Sequence, residues 1–111
     1  MSDVLCSRIK LKPGSLPRVR EWARVMKERR DEALATLEAE GVYEEIVFLD
    51  SSEAGDYLII FMRAEDMARA QELGRTSEAS IDQYHKEFKR DVIESGRGLE
   101  LLVDLERLGG L

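Results

Sequence analysis

The sequence contains few of the residues that most often reveal a site. It has one cysteine, one histidine and two prolines, and aromatic residues make up 6% of the chain. The single Cys6 excludes an intrachain disulfide and favours a reducing compartment, so we expect a cytoplasmic protein. Neither His-x-x-x-His nor Cys-x-x-Cys spacing occurs, and the sequence predicts no metal site.

Charge and hydropathy exclude two further classes of partner. The net charge is -6, with 23 acidic and 17 basic residues, which disfavours nucleic acid and anionic membrane surfaces. The longest apolar run, Tyr57 to Met62, is far too short to span a bilayer. The first residues lack the basic start and apolar core of a signal peptide. We therefore predict neither a nucleic-acid nor a membrane partner.

The hydrophobic periodicity changes several times along the chain. Alternation predicts strands, and spacing of three and four predicts helices. A loop longer than two residues is predicted between the second and third strands. Gly41 is expected to end the first helix, and Gly96 and Gly98 the last. The predicted strands are 4–12, 42–50, 56–63 and 99–108, and the predicted helices are 16–40, 65–74 and 80–95.

This order of elements predicts one α+β domain over residues 1–111. In a ferredoxin-like βαββαβ arrangement with strand order 4-1-3-2, the helices cover one face of an antiparallel sheet. The third strand holds five consecutive apolar residues, Leu58 to Met62, which indicates burial on both of its faces. An uncovered apolar sheet face needs a partner, so we expect a homodimer through this face.

Three segments, CSRIKLKPGS, GVYEEIVFLD with GDYLIIFMRAED, and IDQYHKEFK, resemble the dimeric α/β-barrel superfamily. Together they are similar to a family of small bacterial proteins of unassigned function within it. The resemblance covers almost the whole chain. It implies a site between the sheet and the helices, often without metal or organic cofactor, so we expect no cofactor. Because relatives of this fold differ in activity, the fold alone does not define the reaction.

His85 lies in the apolar stripe of the last predicted helix, beside Tyr84 and one turn before Phe88. A neutral histidine can exchange a proton near pH 7. The resemblance to cyclases implies that His85 acts as an acid or base. In such an enzyme we expect Tyr84 or Tyr57 to be a hydrogen-bond donor, Arg8 to anchor an anion and Phe88 to be among the walls of the pocket. The alternative is a histidine at the edge of the core, bonded to a carbonyl or carboxylate.

Three further residues are candidates for binding a ligand. Arg8 is predicted on a central strand, where it needs either a carboxylate such as Glu44 or Glu45, or an anionic ligand. Trp22 and Tyr57 could wall an aromatic ligand, or could belong to the core or an interface.

The sequence therefore leaves two functions open. The first is a small-molecule-binding or assembly module without catalysis. The alternative is a cofactor-free enzyme, similar to monooxygenases, cyclases or isomerases, acting on a small aromatic or anionic substrate with His85 as acid or base.

Overall fold

Four helices and four strands make up the part of the chain that the computed structural model describes, residues 2–107. The sheet is antiparallel with strand order β2-β3-β1-β4, which is the predicted order read from the other edge. The predicted α+β, ferredoxin-like arrangement is confirmed. The elements are β1 (Asp3–Leu11), α1 (Leu16–Glu28), α2 (Arg30–Glu40), β2 (Val42–Ser52), β3 (Gly55–Ala64), α3 (Met67–Thr76), α4 (Ser80–Val92) and β4 (Ile93–Gly98).

The long helix predicted over residues 16–40 is interrupted at Arg29. The backbone of Arg29 has φ -101° and ψ 34°, which breaks helical geometry between α1 and α2. Its side chain forms two hydrogen bonds with Glu32, at 2.8 and 2.7 Å. The second half, α2, buries none of its residues and ends at Gly41, whose φ of 73° is the predicted left-handed cap. The helical cover over this part of the sheet is therefore loose.

The loop between β2 and β3 is shorter than predicted. Ser52 pairs with Gly55, so only Glu53 and Ala54 connect the strands, and Gly55 adopts a φ of 129° that favours glycine. The polar residues that indicated a longer loop instead extend both strands, where Ser51 donates a hydrogen bond to Asp56.

The last strand lies earlier in the sequence than predicted. Helix α4 ends at Val92, and β4 pairs with β1 from Ile93 to Gly98. A Cβ atom at Gly96 would lie 2.6 Å from Cδ1 of Ile9, so this glycine permits close approach of two strands and does not end a helix. Residues 99–107, here called the C-terminal arm, form no regular strand. Leu108, the last residue of the predicted strand, lies outside the described residues.

The two faces of the sheet differ in what covers them. The inner face, which includes Ile9, Val47, Leu58 and Ile60, lies against the helices. Because cross-strand partners share a face, the pairing register places the opposite set of side chains on the outer face. The outer face carries Val4, Cys6, Arg8, Lys10, Glu44, Ile46, Phe48, Asp50, Tyr57, Ile59, Phe61, Arg63, Ser95 and Arg97.

The buried arginine of the fold is Arg63 and not Arg8. Arg63 is 6% exposed and forms ion pairs with Glu44, Asp104 and Glu106 at 3.4, 2.9 and 3.4 Å. The expectation that Glu44 or Glu45 pairs with Arg8 is wrong, because Glu44 is bonded to Arg63 and Glu45 is on the inner face.

The ion pairs of Arg63 attach the C-terminal arm to the outer face. The amide of Leu99 still donates to the carbonyl of Cys6 at 2.8 Å, and five residues later Asp104 accepts two hydrogen bonds from Arg63. Glu106 accepts from Ser2 at 3.4 Å. Between these anchors the apolar side chains point to solvent, with Leu102 85% exposed.

We expect Arg63→Met to lower the melting temperature and to increase hydrogen exchange in residues 99–107. The substitution leaves three carboxylates without the cation that joins them. The matched control is Arg20→Met on the exposed surface of α1. Equal melting temperatures for the two variants would contradict a structural role for Arg63.

Candidate functional site

A cavity of about 880 Å3 lies between the inner face of the sheet and the helices. The core is divided into two clusters, one around Trp22, Leu58 and Phe88 and the other around Val42 and Ala64. The cavity occupies the space between them, because α2 sends no buried side chain toward the middle of the sheet. This volume is in the range of ligand pockets in proteins.

The walls of the cavity are mostly apolar, but polar side chains reach it from six elements, β1, α1, α2, β2, α3 and α4. Five of these side chains are cationic: Lys27, Arg30, Arg75, Lys86 and Lys89. Ile9 and Ile60 form part of the floor. Glu45 reaches the cavity from β2, Glu40 from the end of α2, and His85 from α4. An apolar pocket with a few polar groups is the usual design of a small-molecule site.

His85 is held in one tautomer by Trp22. The indole Nε1, which can only donate, donates to Nδ1 of His85 at 3.1 Å, so the histidine proton resides on Nε2. Trp22 is fixed in turn by stacking on Phe88, with ring centroids 4.6 Å apart. Residues 2–107 offer Nε2 no hydrogen-bond partner, so this N–H is free to donate to a ligand.

The surroundings of His85 keep its ring neutral. Burial, together with the positive charge of Lys89, lowers the pKa of His85 to about 4. A neutral imidazole whose only free nitrogen carries a proton is a hydrogen-bond donor and not a base at neutral pH. The geometry therefore favours a binding role for His85 over the predicted acid or base role.

The carboxyl groups of the cavity are better suited to transfer protons. Burial raises the pKa of Glu40 to about 7, and the nearby charges of Asp82 and Glu45 act in the same direction. Burial also raises the pKa of Glu45, although Lys89 opposes the shift. Glu40 packs closely against α3, where a Cβ atom at Gly74 would lie 3.0 Å from its Oε1. A group with a pKa near 7 can give or take a proton at physiological pH.

Glu40 and Glu45 were not among the site residues predicted from the sequence. Strict alternation from the buried Val42 places Glu44 on the inner face of β2. The register shifts between Val42 and Glu44, and this bulge turns Glu45 inward instead. The available signal was the acidic residue two positions before the apolar Val47, a spacing that places both side chains on one face of a strand.

The predicted site residues do not all meet in one place. His85 and Trp22 line the cavity, and Phe88 is buried behind Trp22. Tyr84 does not line the cavity, because its hydroxyl accepts a hydrogen bond from Arg18 at 3.0 Å.

The other two predicted residues lie on the opposite side of the sheet. Arg8 and Tyr57 are on the outer face, where the Arg8 guanidinium carbon lies 3.6 Å from the centre of the Tyr57 ring. Trp22 and Tyr57 therefore cannot wall the same ligand. Nor can Arg8 anchor an anion in the cavity.

Neither a metal site nor a membrane-spanning helix is found in the described residues. Between Ser2 and Arg107, no group of three or more histidine, cysteine or acidic side chains is placed to hold a metal ion. No helix in the same range is long and apolar enough to cross a bilayer.

Solved structures with similar folds come from several bacteria. L-rhamnose mutarotase from Formosa agariphila is 22% identical, with a TM-score of 0.59 over 94% of this chain and 99% of that one. A candidate antibiotic biosynthesis monooxygenase from Bacteroides thetaiotaomicron is 16% identical, with a TM-score of 0.59 over 96% and 92%. A nipsnap family protein of unknown function from Agrobacterium tumefaciens is 14% identical, with a TM-score of 0.57 over 86% and 82%.

These similarities are too low in sequence identity to transfer an activity, and they establish the fold. They bear out the ferredoxin-like fold that the resemblance to the dimeric α/β-barrel superfamily implied. No curated protein matches the sequence. A sequence family matches residues 2–109, and the chain belongs to this family of unknown function, DUF6176.

Proposed function

We propose that the protein binds a small, largely uncharged organic molecule in the cavity between the sheet and the helices. The observation that carries the proposal is the combination of mostly apolar walls, side chains of both charge signs, among them Glu40 and Glu45, and the free N–H donor of His85. Such a set matches a ring-sized molecule with an apolar body and with hydroxyl or carbonyl groups. No cofactor is needed for this binding.

A second candidate function is proton transfer on that ligand. The observation that favours it is the pKa of about 7 at Glu40. Glu40 would give or take the proton, while Nε2 of His85 would donate a hydrogen bond to an oxygen of the substrate. Glu45 would accept a hydrogen bond from the ligand and hold it in place.

We further propose that the chain acts as one domain, that it works in the cytoplasm, and that two copies associate through the outer face. The apolar residues of this face support the association, since Phe48 is 62% exposed. The arm adds more apolar surface, since Leu105 is 89% exposed. Exposed apolar surface of this kind usually marks an interface.

The ligand proposal is tested with a panel of neutral molecules. We expect L-rhamnose, other monosaccharides or hydroxylated aromatic compounds to raise the melting temperature of the wild-type protein. Glu45→Gln should weaken calorimetric binding of any such compound about tenfold, because a neutral amide oxygen accepts a weaker hydrogen bond than a carboxylate does. The matched control is Glu44→Gln, since this neighbour faces the opposite side of the sheet. Equal affinities of the two variants would contradict the proposed site.

The raised pKa of Glu40 has a consequence for stability. The folded protein binds the proton of Glu40 more tightly than the unfolded chain does, so the free energy of unfolding should fall as the pH rises from about 4.5 to about 7. Glu40→Gln should remove this loss, and at pH 8 the variant should be more stable by on the order of 1 kcal/mol, after allowance for solvent screening.

Denaturant midpoints at pH 4.5, 6 and 8 measure this effect. The control is Glu38→Gln, an exposed position two residues earlier on α2. If Glu40→Gln and wild type lose stability in parallel over this range, Glu40 does not titrate in the way proposed.

The association of two copies is tested by light scattering. We expect a mass twice the 12.7 kDa of the chain at micromolar concentration. Phe48→Asp should return the chain mass, because it introduces charge into the apolar outer face. Ala35→Asp, at an exposed apolar position on α2 outside the cavity, is the control. A monomeric wild type would reject the dimer.

A further inference from the structure

The outer face has an excess of positive charge at one end. Arg8 and Arg97 lie directly opposite each other on β1 and β4. Like charges in directly opposed positions destabilise a sheet unless an anion lies between them. Residues 2–107 provide neither guanidinium with a salt-bridge partner, and Arg8 contacts only the ring of Tyr57 as a cation. We call this pair the basic end.

The opposite end of the same face has an excess of negative charge. Glu44, Asp104 and Glu106 all pair with the single guanidinium of Arg63, which leaves two negative charges uncompensated. The side chain of Asp104 is 29% exposed, so another molecule can reach its carboxylate. Glu106 is 21% exposed, but its Oε1 is buried without a partner, so its negative charge acts on a neighbouring molecule without direct contact. We call this cluster the acidic end.

The two ends are separated along the strands of the sheet. Arg63 is paired with Val4, and Arg97 is paired with Arg8, so the two levels are four residue steps apart along β1. At about 3.3 Å per residue this is about 13 Å. Cys6, which is paired with Phe61, marks the midpoint.

We propose that a second copy of this chain covers the outer face with its strands reversed, so that the basic end of each copy contacts the acidic end of the other. The inference rests on the proposed dimer and adds its orientation. A two-fold axis that crosses the strands near Cys6 places Arg8 and Arg97 close to Asp104 and Glu106 of the second copy, twice per dimer. An axis along the strands would instead bring basic end to basic end and acidic end to acidic end.

In this interface the apolar residues contribute affinity, and the charged residues determine the orientation. Burial of Ile46, Phe48 and the leucines of the arm provides the driving force for association. The charges select between the two orientations, because the wrong one brings like charges together. In this dimer the other copy provides the carboxylate partner that was predicted for Arg8.

The test is a pair of charge reversals, Arg97→Glu and Glu106→Arg. In the proposed orientation each variant alone brings like charges together at both contacts, and we expect its homodimer to dissociate at least tenfold more readily than wild type in sedimentation velocity. In an equimolar mixture both contacts are complementary again. Native mass spectrometry should then show the mixed dimer exceeding both homodimers at least tenfold.

Controls and alternative outcomes keep the orientation separate from the dimer. Arg20→Glu changes the net charge equally but lies on helix α1, and its dimer should match wild type. An Arg97→Glu homodimer tighter than wild type would indicate the axis along the strands and overturn the inference, because in that orientation the reversal relieves the contact between the two basic ends. An unaffected Arg97→Glu dimer would also overturn it. A monomeric wild type would reject the proposed dimer itself. Arg97 is exposed, so its variant is informative even if Glu106→Arg does not fold.

Discussion

The register shift in β2 between Val42 and Glu44 fixes the chemistry of both faces of the sheet. Beyond the bulge, Glu45 and Val47 face the helices, while Glu44 and Phe48 face outward. Without the extra residue, each of these side chains would lie on the other face, because the side-chain period of a strand is two. Glu44 would then face the cavity in place of Glu45, and the outer face would lose a ligand of Arg63. Two separate surfaces therefore depend on one local irregularity.

Within the cavity, burial acts in opposite directions on the two kinds of titratable group. It disfavours the charged form of each, so it lowers the pKa of His85 to about 4 and raises that of Glu40 to about 7. The hydrogen bond from Trp22 then occupies the one nitrogen of His85 that could accept a proton. The histidine becomes a fixed donor and the glutamate becomes the group that can change its charge, which reverses the roles that residue type alone suggests.

The outer face of the sheet is not covered by helices, and its charged residues are distributed unevenly. The carboxylates of Glu44, Asp104 and Glu106 meet at Arg63, whereas Arg8 and Arg97 stand together. Charges of both signs on one uncovered face disfavour indiscriminate association, because only some orientations bring opposite charges together. The apolar arm, held at Asp104 by Arg63, borders this face and enlarges the surface available to a partner.

The sequence by itself determined the class of fold. Alternation in β1, β2 and β3, helical spacing in α1, α3 and α4, and the left-handed cap at Gly41 are local signals, and they were sufficient for the strand order and the ferredoxin-like fold. They also correctly indicated an uncovered face. Local signals failed at Gly96. The sequence predicted that this glycine ends a helix, whereas in the structure it allows β4 to pack closely beside Ile9 of β1.

Only the tertiary structure decided which side chains act together. The sequence placed Arg8, Trp22, Tyr57 and His85 in one candidate site, yet the sheet separates Arg8 and Tyr57 from the cavity. The physical reason is that the direction of a side chain depends on its position in the repeat of its strand or helix. One bulge or one helix break shifts that repeat and changes the direction of every later side chain in the element. Protonation has the same non-local origin, since the pKa of Glu40 is set by burial and by charges from other elements of the fold.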